Sequence, residues 1–272
     1  MTYAELVEKA KREIKCRTDY GTERVPYRLC TTWLDGNQIN LWAYWQGYQI
    51  KDIDEGVDIL LVGQDWGNPW REGSQETITR IVAMQNGQEV PYLAESPTDR
   101  MLRELFGFFG CDISRKDPGL RLFFTNYSLG YRVESETGGM TKGLMLRDRR
   151  LFEDLVEVIK PKIIICLGKL TYEVVSGVKT DRFVIRLQEG VPFKTPYPIN
   201  NDITVYGVAH CGARGLSNVG GKEPMRKAWQ TIANEFAEKY GGTLTWQKWS
   251  QRRVYHDLRR SSKGSAEDRS KG

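Results

Sequence analysis

Two residues able to perform acid–base chemistry each follow an apolar segment of strand length. Asp65 follows Leu60-Leu61-Val62-Gly63-Gln64, and His210, one of only two histidines in the 272 residues, follows residues 205–209. Ligands of parallel sheets bind beyond the carboxyl ends of the strands. A carboxylate and an imidazole presented there by two different strands predict a site that moves a proton or stabilises a charge.

Apolar segments alternating with helical patterns predict the elements that position these two residues. Strands are expected at 57–62, 121–126, 162–167 and 203–209, and amphipathic helices near the N-terminus and at 98–109, 147–159 and 223–240. Parallel strands need helical or long crossovers. The alternation therefore predicts an α/β fold, a three-layer α/β/α sandwich with a central four-stranded parallel sheet.

Composition excludes several classes of protein. No apolar stretch approaches the roughly 20 residues that span a bilayer, and the N-terminal pattern is an amphipathic helix rather than a signal peptide. Five cysteines without a CxxC pair predict a reducing, cytoplasmic compartment and neither a structural metal nor a metal cluster.

Charge and aromatic content divide the chain into three predicted parts: an aromatic-rich extension packed on the core (1–54), a main domain (55–246) and a basic, disordered tail (247–272). From Lys248 onward eight basic residues face three acidic ones, a surplus equal to the net charge of +5. The tail is either a solvated end or an anchor for phosphate backbones. The N-terminal aromatics are either a lid on a sheet edge or a surface that stacks on bases; they are Trp33, Trp42, Tyr44, Trp45 and Tyr48.

Five segments, in the correct order over roughly residues 55–240, resemble the uracil-DNA glycosylase superfamily. Leu61-Val62-Gly63-Gln64-Asp65 resembles the first active-site motif of the family-1 enzymes. Pro91-Tyr92-Leu93-Ala94 and the stretch from Ile159 to Gly168 are similar to segments of the iron–sulfur branch. Phe124-Thr125-Asn126 resembles the strand that supplies a base-reading Asn, and His210-Cys211-Gly212-Ala213-Arg214 stands where the family has His-Pro-Ser and a wedge residue.

The resemblance implies a monofunctional DNA glycosylase that removes uracil or a related deaminated base in base excision repair. Cleavage of the N-glycosidic bond develops positive charge on the sugar and negative charge on the base. Asp65 is expected to orient a water and stabilise the sugar, and neutral His210 to donate to the base O2. The structural alternatives are a helix cap for Asp65 and a packing role for His210.

The remaining matched residues are expected to capture a base rotated out of the duplex. Asn126 reads the base edge, Tyr92 stacks on its face, and the backbone N–H of Gln64 contacts O2. Gly67, where the family-1 enzymes carry Tyr, leaves room for a substituent at C5. Structural alternatives are a loop cap for Asn126 and a surface aromatic for Tyr92. DNA contacts are assigned to Arg214, as a wedge or a phosphate ligand, and to Gly212 and Lys169.

Departures from the family pattern set the cofactor and partner predictions. Trp66-Gly67 replaces Pro-Tyr, the Pro and Ser after the histidine are absent, and so are the cluster cysteines. We therefore expect no cofactor, no metal, and a monomeric, nucleoid-associated protein whose partner is DNA containing a damaged base, with no membrane contact. The alternative function is a fold relative that binds nucleic acid or a nucleotide without cleaving it.

Overall fold

The computed structural model describes residues 1–15, 21–22, 25–29, 56–65, 97–115, 118–128, 130–132 and 140–241. The helices in these ranges are α1 (Tyr3–Lys15), α2 (Pro97–Phe106), α3 (Lys142–Leu146), α4 (Arg149–Ile159), α5 (Lys169–Ser176), α6 (Phe183–Gln188), α7 (Ala213–Asn218) and α8 (Lys222–Tyr240). The strands are β1 (Gly21–Thr22), β2 (Val25–Leu29), β3 (Ile59–Gly63), β4 (Leu122–Asn126), β5 (Gly130–Arg132), β6 (Ile163–Leu167), β7 (Phe193–Pro196) and β8 (Thr204–Val208).

The main sheet confirms the α/β class but corrects the number of strands. Its order is β4-β3-β6-β8-β7, with helices on both sides, and the first four strands are parallel as the sequence predicts. The expectation of four strands is wrong because β7 adds a fifth, antiparallel to β8. This short strand lies at the sheet edge, alternates between exposed and half-buried residues and ends in Pro196, which is a weak strand signal.

Burial explains why the central elements form where the apolar patterns predict them. Every residue of β3 and β6 is buried, as expected for parallel strands covered on both faces. In α2, Phe106 lies with its ring centroid 5.0 Å from that of Phe124 in β4 and 5.3 Å from that of Trp229 in α8. These aromatic contacts fix α2 against both the sheet and the closing helix.

A buried carboxylate sets the common starting level of three strands. Asp58, only 7% exposed, accepts a hydrogen bond from the backbone N–H of Arg121 at 2.8 Å and pairs with Lys162 Nζ at 2.7 Å. Asp58 precedes β3, Arg121 precedes β4 and Lys162 precedes β6. These three strands start at the same level and have equal length. Their carboxyl ends therefore also lie at one level, on the opposite side of the sheet from Asp58.

The two ends of the chain are described only in part. Helix α1 packs on α4, with Leu6 and Ala10 buried and Lys9 paired to Asp154 at 2.5 Å. Strands β1 and β2 join β5 in a small antiparallel sheet. The N-terminal aromatic cluster and the tail 247–272 lie outside the described residues. Within the described part of the chain, no helix combines the length and apolarity that crossing a bilayer requires.

Candidate active site

The parallel strands end at one level, which we call the carboxyl edge of the sheet, and the predicted site residues that the structure describes lie there. Gly63 pairs with Asn126 across β3 and β4, and Leu167 pairs with Val208 across β6 and β8. Asp65 lies two residues beyond the end of β3, and His210 lies two residues beyond the end of β8. These two strands flank β6, so about 10 Å, or two strand spacings, separates their axes.

His210 is held in one protonation form by the backbone beside it. Its Nδ1 accepts a hydrogen bond from the Gly212 N–H at 2.9 Å. In a neutral imidazole one nitrogen accepts and the other donates, so Nε2 carries the proton. His210 is solvent-exposed, yet enough protein surrounds the ring for desolvation to lower its pKa, while the charge of Asp65 acts to raise it. Protonating Nδ1 would also place two donors face to face, which further favours the neutral ring.

Asp65 is half-buried and is oriented by its neighbour. The Gln64 Nε2 donates to Asp65 Oδ1 at 3.0 Å, and the Gln64 carbonyl accepts the N–H of Ser128 at 3.0 Å. The sequence predicted a role only for the backbone N–H of Gln64, so the contact of its side chain with the carboxylate is new. Because the charge of Asp65 reaches His210, the two side chains share one electrostatic environment at this edge.

Asn126 occupies the space that a side chain at position 63 would need. A β-carbon placed on Gly63 would collide with Asn126 Oδ1 and lie 3.2 Å from its Cγ. The backbone holds the pair together, since the Tyr127 N–H donates to the Gly63 carbonyl at 2.9 Å. Asn126 is half-buried at the end of β4. The glycine of the Gly-Gln-Asp segment is thus explained by the approach of Asn126.

The predicted DNA-contacting residues stand at the start of the helices that follow β6 and β8. Lys169 opens α5 after Gly168, whose φ of +97° suits glycine, and its side chain is 50% exposed and 3.7 Å from Glu173. Gly212 precedes α7, and Arg214 is exposed in the first turn of that helix. The structure therefore places Lys169, Gly212 and Arg214 at the same edge as Asp65 and His210.

The sequence analysis did not single out Thr98, which also lies at this edge. Tyr92 and Gly67 lie outside the described residues. Thr98, in the first turn of α2, lies with Oγ1 3.0 Å from the point where a β-carbon of Gly212 would stand. His210 Nδ1 is also 3.0 Å from that point. A threonine at a helix start is an ordinary helix-boundary signal, so the sequence carried no separate indication of this contact.

A cavity of about 850 Å³ lies at the other edge of the sheet, between α4 and residues 197–203. Two of its charged lining groups serve the fold, since Lys162 pairs with Asp58 and Asp154 pairs with Lys9. We place the chemistry at the carboxyl edge because the imidazole of His210, the carboxylate of Asp65 and the amide of Asn126 all belong to that edge. Within the described ranges, no three His, Cys, Asp or Glu side chains lie close enough together to hold a metal ion.

Comparison with known proteins assigns no family to this geometry. No protein-family model matches the chain, and no curated protein matches its sequence. The functional argument therefore depends on the residues at the carboxyl edge and on the chemistry that their arrangement permits.

Proposed function

We propose that this protein is a DNA glycosylase that hydrolyses the N-glycosidic bond of uracil or a related deaminated base. The observation that carries the proposal is the hydrogen bond from the Gly212 N–H to His210 Nδ1. This bond makes Nε2–H the donor of the ring, and desolvation lowers the pKa of that ring. A neutral, fixed N–H donor is the group that a departing anionic base requires.

His210 acts on the base that leaves. When the bond between sugar C1′ and base N1 breaks, its electron pair departs with the base, and the negative charge spreads onto O2. The Nε2–H of His210 donates a hydrogen bond to that oxygen and stabilises the charge as it develops. Because the imidazole stays neutral, it keeps its proton, and the released base takes one from solvent.

Asp65 acts on the sugar and on the water. Its carboxylate is held by Gln64 Nε2 through Oδ1 and carries the negative charge that a cationic sugar attracts. The same carboxylate orients a water whose oxygen bonds to C1′, and the proton that this water loses passes through Asp65 to solvent. The products are an abasic site and the free base.

Asn126 selects the base. Its amide both donates and accepts, which matches the N3 and O4 edge of uracil. The missing side chain at Gly63 leaves the space that Asn126 Oδ1 occupies. We further propose that Tyr92 stacks on the base and that Gly67 leaves its C5 side open.

The DNA partner is held by the cations of the same edge. Lys169 and Arg214 are exposed and belong to helices that begin beside His210, so they can reach phosphates that flank an extruded nucleotide. Gly212 has no side chain, so the DNA backbone can approach the loop closely at this position. The proposed protein is a cytoplasmic, nucleoid-associated monomer whose reaction uses no metal or cofactor.

Full-length protein incubated with a panel of oligonucleotides tests the proposal. The panel carries uracil, hypoxanthine, xanthine or thymine opposite guanine, and alkaline cleavage reports abasic sites. We expect cleavage at uracil or at another deaminated base. Binding to these oligonucleotides without any abasic product would favour the alternative, a non-catalytic nucleic-acid-binding protein. Neither binding nor product would refute both.

A further inference from the structure

Gly212 marks a tight contact between α2 and the loop that carries His210. A β-carbon on Gly212 would lie 3.0 Å from Thr98 Oγ1, 3.0 Å from His210 Nδ1 and 3.2 Å from His210 Cε1. The backbone of Gly212 has φ −76° and ψ 170°, which any residue adopts. Space, rather than backbone conformation, therefore explains a glycine here, and Thr98 and the imidazole are the groups that limit this space.

Helix α7 packs against the backbone of the loop that follows β8. A β-carbon on Gly215 would collide with the carbonyl oxygen of His210, and the Leu216 N–H donates to the Gly212 carbonyl at 3.0 Å. These contacts fix the backbone of His210. They do not set the orientation of its ring, which depends on the Gly212 N–H and on the groups that border the gap over Gly212.

Helix α2 supplies a rigid border to this gap, because Thr98 Oγ1 and His210 Nδ1 each lie 3.0 Å from the same point over Gly212. Its inner face is buried through Met101, Leu102, Leu105 and Phe106, and Glu104 Oε1 accepts from Arg226 Nε of α8 at 2.6 Å. Thr98 is half-buried in the first turn, and its branched side chain has few rotamers. A stiff side chain on a fixed helix is well suited to restrict a neighbouring ring.

We propose that Thr98 is a positioning residue for His210, restricting the imidazole so that its Nε2–H faces the space shared with Asp65. The inference rests on the proposed function for its catalytic meaning, since it deepens the same site. Its structural content is independent of activity: the side chain at 98 and the missing side chain at 212 together define where the ring lies.

A double-mutant cycle tests this arrangement. Thr98→Ala removes the restriction, and Gly212→Ala pushes a methyl group into the ring, so each should slow base release by roughly 10-fold. In the double variant the loop relaxes toward the space that Thr98 vacates, which moves the new methyl group away from the ring. We expect the rate of base release by the double variant to recover to within roughly 3-fold of wild type. Its loss would then be smaller than the sum of the two single losses. Thr204→Ala is the control, because Thr204 is half-buried at the start of β8, at the far end of the strand from His210. This variant should release the base at the wild-type rate.

Nitrogen NMR of the imidazoles provides a readout that does not depend on catalysis. The chain has two histidines, and His256→Gln assigns the signals of His210. We expect wild-type His210 to show a protonated Nε2 and an unprotonated Nδ1, Thr98→Ala to average these shifts, and Thr98→Val to preserve them by keeping the branched shape. Thr98→Val is also the test if Gly212→Ala fails to fold.

The outcomes separate the two proposals. Unchanged shifts and unchanged rates in Thr98→Ala, or strictly additive losses in the cycle, would overturn the positioning role. Altered His210 shifts in Thr98→Ala, in a wild-type protein that releases no base, would refute the glycosylase proposal and leave the positioning role standing.

Discussion

Replacing Gly63 tests the site through a residue that touches no substrate. In Gly63→Ala the new methyl group would collide with Asn126 Oδ1, which is the far end of a side chain that can rotate. To restore van der Waals contact, that oxygen must move by about 1 Å or more. An off-rotamer side chain costs about 0.5–1.5 kcal/mol, so the free energy of unfolding should fall by about 1 kcal/mol.

The catalytic effect should be larger than the effect on stability. A displacement of about 1 Å in a group that binds the reacting base costs on the order of 10²-fold in rate. Single-turnover base release should therefore fall to nearly the level of Asn126→Ala, although Asn126 itself is still present. In the double variant Gly63→Ala/Asn126→Ala the clash disappears, so unfolding stability should recover while base release stays low.

Gly143→Ala is the matched control for this experiment. Among the described residues, a β-carbon there would meet Thr141 Oγ1 alone, at 3.9 Å, which is an ordinary contact. The rate and base preference should therefore remain those of the wild type. If Gly63→Ala keeps the wild-type rate and base preference, Asn126 does not read the base and the reasoning is wrong.

Three further predictions concern packing, the tail and the base range. Gly207→Ala places a methyl 2.6 Å from Cγ of the buried Tyr172 and should lower the free energy of unfolding by about 1–3 kcal/mol in urea titrations; an unchanged midpoint would contradict this packing. Truncation before Arg259 removes a net three positive charges. It should weaken DNA binding uniformly and make its salt dependence shallower, whereas an unchanged slope would mean a solvated end. Gly67→Tyr should exclude 5-substituted uracil while sparing uracil; strict uracil preference in the wild type would show that Gly67 does not set the base range.

The parallel core was predictable because its signal is local and strong. Strands such as β3 and β6 are continuous apolar runs, and α4 and α8 carry apolar faces over three or more turns, so their positions agree with expectation to within one or two residues. The predicted helix over 98–109 is shorter, because α2 ends at Phe106 and passes into a 3-10 turn at Gly107–Phe109.

Elements with weak local signals were not predictable. Helices α3 and α7 have five and six residues, too few for an apolar period to emerge. Strand β7 owes its place to its pairing with β8 rather than to its own sequence.

The candidate site was predictable where it depends on strand ends and not where it depends on packing between elements. Asp65, Asn126 and His210 follow apolar runs, so a parallel sheet brings them to one edge. The contact of Thr98 with the His210 loop depends on how α2 packs against Trp229 and Phe124, which no local pattern encodes. The reason for glycine at 212 is likewise visible only in three dimensions.

Single-turnover base release by Asp65→Asn and His210→Ala tests the central claim most directly. With duplex DNA carrying the preferred base, each variant should be slower than wild type by roughly 10²–10⁴-fold, the usual scale for groups that stabilise a developing charge or position a water. Binding to the abasic product should survive in both. The matched controls are Asp181→Asn, an exposed carboxylate outside the site, and His256→Ala, and both should retain the wild-type rate. Wild-type rates in the double variant Asp65→Asn/His210→Ala would contradict the account.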